Sequence, residues 1–141
     1  MKLSLYTDFS LRVLLYIGTN SGRRVTMAEI ADSYGISREH LRKVVHLLGK
    51  LGYIETHRGK GGGFTLGADA AKINIGDVVE ATEPRQPVID CSPCILVSAC
   101  TLQSVLQEAE KAFYDVLKGY CLSDLLKNKA MQQILLRTSD T

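Results

Sequence analysis

No apolar run in the 141-residue sequence approaches the roughly 20 residues that a bilayer-spanning helix needs. The most apolar early stretch, residues 11–17, already carries Arg12, so a membrane protein is excluded. Residues 1–6 hold one Lys and run into Thr7-Asp8 before a secretory apolar region can form. The expected setting is therefore the reducing cytoplasm, where thiols stay free, catalytic or metal-bound. Internal repeats are absent, and the longest low-complexity stretch is Gly61-Gly62-Gly63, which removes solenoids and disordered tracts. Neither Gly-x-x-x-x-Gly-Lys-Ser/Thr nor a strand–Gly-x-Gly-x-x-Gly–helix occurs, which removes the common nucleotide loops. No base stands paired with a nucleophile, and the chain does not read as an enzyme.

The length suits one domain, or a small domain with a long appended element. The net charge of +2 hides an asymmetry: residues 1–60 carry ten Lys/Arg against five Asp/Glu, and residues 61–141 carry seven against ten. An anionic partner for the first half follows if the basic groups share a surface.

Phe9, Val13, Leu14, Tyr16 and Ile17 predict a helix from residue 7 or 8 to about 19, stopped by Asn20-Ser21-Gly22. Thr26-x-x-Glu29 is a capping box opening a short helix over 27–34. Gly35 supplies a left-handed turn, and Ser37 caps a third helix over 38–51. Residues 53–56 and 64–66 read as a hairpin around the basic, glycine-rich loop 57–63. Three helices followed by a basic hairpin make a winged helix-turn-helix, so the fold class is mainly α. One brief helix is expected within 73–81. From Thr101, an apolar stripe through Leu102, Val105, Leu106, Ala109, Phe113, Val116, Leu117 and Tyr120 predicts a long C-terminal helix. That helix suits dimerisation, packing on the first half, or both by different ends. A short helix near 123–126 and a frayed tail over 138–141 complete the reading. The division is 1–83 for the winged helix-turn-helix, 84–100 for a cysteine loop, and 101–141 for the dimerisation helix and tail.

Helix-turn-helix readers place the N-terminal end of their second helix in the major groove. Here that end is Ser37, Arg38, Glu39 and His40, followed by Arg42 and Lys43. Arg pairs bidentately with guanine, Ser and Lys reach phosphate, and Glu accepts from cytosine. Arg58, Gly59 and Lys60 form a basic tip, and glycines at 59 and 61–63 let its backbone turn tightly against a groove. Each charge alone would suit a solvated surface; helix and wing together point to double-stranded DNA. One unit covers a half-site, so a homodimer on a two-fold-related operator is expected.

Cys91, Cys94 and Cys100 read Cys-x2-Cys-x5-Cys in a loop, while Cys121 reads as a core or free thiol. A closed zinc site wants four ligands, and His40, His46 and His57 all lie in the DNA-binding half. A thioredoxin-like role lacks its βαβ unit. An iron–sulfur cluster accepts three thiolates with one oxygen or nitrogen ligand and would then be labile. Spacing leaves cluster and zinc both open.

Over nearly its whole length the chain resembles the bacterial iron–sulfur winged-helix transcriptional repressors. The resemblance rests on Leu3-x3-Thr7-Asp8-Phe9-x2-Arg12, Ile30-Ala31-x2-Tyr34-Gly35-Ile36-Ser37, Leu51-Gly52-Tyr53-Ile54, Arg58-Gly59-Lys60-x-Gly62-Gly63, Leu66-Gly67, Ile75-Gly76-Asp77-Val78-Val79 and the cysteines before a long helix. Asp8 and Arg12 are most similar to the nitric-oxide-sensing branch. The resemblance implies a homodimeric repressor whose cluster is held by Cys91, Cys94, Cys100 and, across the dimer, Asp8, with DNA affinity lost when nitric oxide attacks. Only Ser92 and Pro93 separate the first two cysteines, fewer residues than the family usually has, so the nuclearity is 4Fe–4S or 2Fe–2S. Gln103 and Ser104 stand where a cluster-biogenesis regulator would offer a His, which argues against that branch. Read locally, Asp8 is a first-turn carboxylate suited to the helix dipole and to an i,i+4 pair with Arg12. The alternatives are an iron- or redox-sensing regulator of the same fold and a small zinc or redox cysteine protein.

Overall fold

The computed structural model describes residues 2–139. Helix α1 spans Leu5–Thr19, two residues or more earlier than its apolar spacing predicts. Its start is set by Ser4, whose hydroxyl accepts the Thr7 N–H at 3.2 Å, and by a distant carboxylate. Glu83 accepts from the Ser4 N–H and hydroxyl, each at 3.0 Å, and from the Thr7 hydroxyl at 2.5 Å. No local pattern announces a cap supplied from 76 residues away. Val13, Leu14, Tyr16 and Ile17 of α1 are fully buried.

Helix α2, Met27–Tyr34, opens with both halves of the Thr26–Glu29 capping box and closes on Gly35 at φ 66°, a conformation cheap only for glycine. Helix α3, Arg38–Lys50, begins where Ser37 accepts the His40 N–H at 3.2 Å. Its Leu41, Val44, Val45 and Leu48 turn into the core. Strands β1, Ile54–His57, and β2, Gly63–Leu66, pair antiparallel from Ile54↔Leu66 to His57↔Gly63, one residue later than expected on both the first and last positions of β1. An unpredicted addition is Val25, which exchanges hydrogen bonds of 2.9 and 2.7 Å with Phe64. The segment ahead of α2 thereby joins the wing as a third, one-residue rung.

A 3-10 turn at Ala70–Lys72 leads through Asn74, the N-cap, into α4 at Ile75–Thr82. Residues 84–100 form neither helix nor strand. Then come α5 (Thr101–Lys118), α6 (Leu122–Leu125) and α7 (Lys129–Ser139). Gly76 lets α4 lie directly on the end of α5, since a Cβ there would fall 2.7 Å from the Lys118 nitrogen. The expected apolar stripe splits: Phe113 and Leu117 of α5 pack on the core, while Leu102, Val105 and Val116, with Tyr120 beyond the helix end, stay more than half exposed. Helix α7 was not anticipated. Asn128 starts it by accepting the Met131 N–H on its side chain at 3.1 Å, and Leu135 enters the core. The frayed tail expected over 138–141 gives way to helix through Ser139; Asp140 and Thr141 lie outside the described residues. Leu122 and Leu135 return α6 and α7 to α1 and α2, so the chain after α5 closes the core.

Burial pushes the Glu83 carboxyl up, but the hydrogen bonds from Thr7 and Ser4 outweigh it and hold the group below the ordinary glutamate value. The stabilisation this brings is complete above the unfolded value of about 4.3 and is lost as pH falls through the lower folded value. Glu83→Gln should cost about 1 kcal/mol in urea unfolding at pH 7 and make the acid limb of the stability profile shallower. An unchanged acid limb would remove Glu83 as the anchor of α1.

Candidate nucleic-acid interface and cysteine loop

Helix α3 is sharply two-faced. Opposite its buried Leu41, Val44, Val45 and Leu48, the side chains of Arg38, Glu39, His40, Arg42 and Lys43 are exposed. Ser37 is also exposed, but its hydroxyl is engaged in capping, so its first duty is to shape the end of α3. The His40 ring lies 5.9 Å from that of Phe9, and the Tyr6 hydroxyl donates to the Lys43 carbonyl at 3.2 Å. The first two turns of α1 therefore touch the exposed helix directly.

The wing closes on a tight turn in which the Gly62 N–H donates to the Gly59 carbonyl at 3.0 Å. Gly59 and Gly61 have φ of 87° and 73°, which leaves Arg58 and Lys60 as the exposed side chains of the tip. His57 is held by Thr65 at 2.8 Å. Among the described residues, ion pairs occupy Arg12, Arg23, Lys111, Lys118 and Lys127. Arg38, Arg42, Lys43, Arg58 and Lys60 have none, so their charge is uncompensated and available to a polyanion.

Asp8 sits in the first turn of α1 and makes a two-pronged pair with Arg12, at 2.7 and 3.2 Å. Arg12 in turn lies 5.8 Å from the Tyr34 ring centre, and the Tyr34 hydroxyl donates to the Arg12 carbonyl at 3.0 Å. Burial, opposed by Arg12, pushes the Tyr34 phenol up to about 12, so it remains a donor throughout the physiological range.

Cys91, Cys94 and Cys100 are all free thiols. Cys94 donates its N–H to the Cys91 carbonyl at 3.1 Å, and Asp90 shapes the same turn by accepting from the Ser92 N–H and hydroxyl at 3.0 and 2.6 Å. Burial first, then Cys100, Cys94 and Asp90, raise the Cys91 thiol. Among the described residues the thiols do not converge into a group of three able to hold a metal ion. The donor set nevertheless suits an iron–sulfur cluster: three unpaired thiols on a segment bound by no helix or strand. Cys100 ends that segment as the N-cap residue of α5, with no side chain on the helix's first N–H groups. Cys121, a free thiol, caps α6 and lies 3.1 Å from Asp124, bonded apart from the loop. No described helix is long and apolar enough to cross a membrane.

Sequence and structure comparisons agree with this arrangement. The Rrf2 family model, described as iron-dependent transcriptional regulator, matches residues 3–128. The HTH-type transcriptional regulator NsrR of Bacillus licheniformis is 47% identical over 135 residues, covering 92% of this chain and 94% of the relative. That of Bacillus subtilis is 46% identical, covering 92% of each. Among solved structures, T. potens IscR matches with a TM-score of 0.75 at 23% identity, over 91% of this chain and 88% of that one. The oxidised form of Staphylococcus aureus CymR matches with 0.74 at 25%, over 89% and 96%. Arg38→Ala should cost about 1–3 kcal/mol of specific DNA binding and relax discrimination at one base position. Equal loss on every sequence would instead make Arg38 a phosphate contact.

Proposed function

The chain belongs to the Rrf2 family of transcriptional regulators, and from that premise we propose that it is a homodimeric cytoplasmic repressor that senses nitric oxide through a labile iron–sulfur cluster. The observation that carries the reading is the pairing of two features. Three free thiols stand on a segment of turns without helix or strand, and an aspartate stands on the helix turn that touches α3. The NsrR naming of relatives at 46–47% identity supports it.

Cys91, Cys94 and Cys100 would hold the cluster, with Asp8 of the partner subunit as the fourth ligand. When bound, the group supplies iron at which nitric oxide coordinates. The chain's own residues supply the coupling. Arg12 fixes the direction of the Asp8 carboxylate, and Tyr34 fixes the Arg12 backbone. Tyr6 and Phe9, on either side of Asp8, bear on Lys43 and His40. A change in what Asp8 binds is therefore felt at the DNA-facing end of α3, which gives two sites and one element common to both. The exposed Leu102, Val105 and Val116 of α5, with Tyr120 just beyond it, supply the apolar face for a second subunit.

The test is iron and sulfide content with a visible spectrum on protein purified without oxygen, then titrated with nitric oxide while operator binding is followed. Near-stoichiometric iron and sulfide, bleached together with loss of DNA binding, is the expected result. Zinc, or a colourless protein that still binds DNA, would refute the sensor reading. Asp8→Ala should blunt the nitric oxide response yet leave apo-protein stability within about 1 kcal/mol, because its pair with Arg12 is partly exposed. An unaltered response would remove Asp8 from the ligand set.

A further inference from the structure

We infer that Arg24, in the turn between α1 and α2, is a DNA-phosphate-binding residue held in place by the wing. The neighbouring arginines Arg23 and Arg24 look equivalent in sequence, and the fold gives them opposite tasks. Arg23 donates to Glu29 at 2.6 Å and to Asn20 at 3.3 Å, and the Glu29 hydrogen bond raises its basicity further. Its charge is paired within the chain, at the surface. Arg24 is exposed and has no carboxylate partner among the described residues.

The position of Arg24 is fixed twice. Its successor Val25 is locked to Phe64 by two backbone hydrogen bonds, of 2.9 and 2.7 Å. The turn lies so tightly under the hairpin that a Cβ on Gly63 would fall 2.7 Å from the Val25 carbonyl oxygen and 3.3 Å from the Arg24 Cβ. From there the guanidinium reaches the tip and donates through Nη1 to the Gly61 carbonyl at 3.2 Å. One of its five N–H groups is thereby spent on orientation. The others remain beside the turn that carries Arg58 and Lys60, in the planar fork that suits phosphate oxygens. An arginine immobilised by a backbone carbonyl loses less side-chain freedom on meeting DNA than a free one. The DNA interface therefore extends beyond α3 and the hairpin to the α1–α2 turn.

This inference rests on DNA binding but not on the cluster or on nitric oxide. The measurement is equilibrium binding of a mixed-sequence DNA duplex to the full chain across a range of salt concentrations. Arg24→Gln keeps an N–H for Gly61 and removes the charge; Arg24→Lys keeps the charge. Each phosphate contact contributes about −0.9 to the slope of log affinity against log salt. Arg24→Gln should lower the steepness by about 1, equally on operator and unrelated duplexes, with unchanged thermal unfolding, while Arg24→Lys should restore the wild-type slope. A wild-type slope in Arg24→Gln, even with weakened binding, would overturn the proposal and leave Arg24 as a brace for the wing. Wild-type protein with no salt-dependent binding would bring down the whole interface, a result distinguishable from an unchanged but steep slope.

Discussion

Burial of α1 is the constraint on which the rest of the structure depends. Val13, Leu14, Tyr16 and Ile17 are wholly enclosed, each contributing on the order of 1.5–3 kcal/mol by leaving water. The helices that enclose them come from widely separated parts of the chain: α3 and α4 on one hand, α6 and α7 on the other. A helix walled in this way moves as a rod or not at all, because close-packed interiors do not deform continuously. Its first turn has a polar mooring of its own, through Glu83, and Pro84 directly beyond that residue opens the cysteine segment. The start of the loop and the Asp8 carboxylate are thus referred to one rigid element, which also touches the exposed face of α3.

Much of this was legible in the sequence wherever the determinant is local. The Thr26–Glu29 box, the left-handed Gly35 and the Ser37 cap fall where their residues predict, because each motif satisfies its own backbone within four residues. The early start of α1 was not legible, since its partner carboxylate is remote in the chain. Nor was the Val25 rung on the wing, a single pair made by a residue outside any strand pattern. Helix α7 did carry a signal in Asn128 followed by Met131 and Leu135, weakened by the short spacing after α6.

The site was legible as chemistry more than as geometry. The basic residues of α3 and the wing are exposed, as the amphipathic pattern requires. The distinction between Arg23 and Arg24 needs the three-dimensional position of Glu29 and Gly61. The cysteines were legible as a trio of thiols. Among the described residues they do not converge as a metal cage.

The wing's glycines have a consequence for how such a protein can diverge. At Gly59, Gly61 and Gly63 the backbone lies at positive φ, and at Gly62 a Cβ would sit 2.4 Å from the His57 carbonyl oxygen. Four of the five positions from 59 to 63 thus penalise a side chain, by backbone strain or by collision, and only position 60 between them is free of both. Drift at the tip is confined to that residue and Arg58, so the wing can change its charge but hardly its shape.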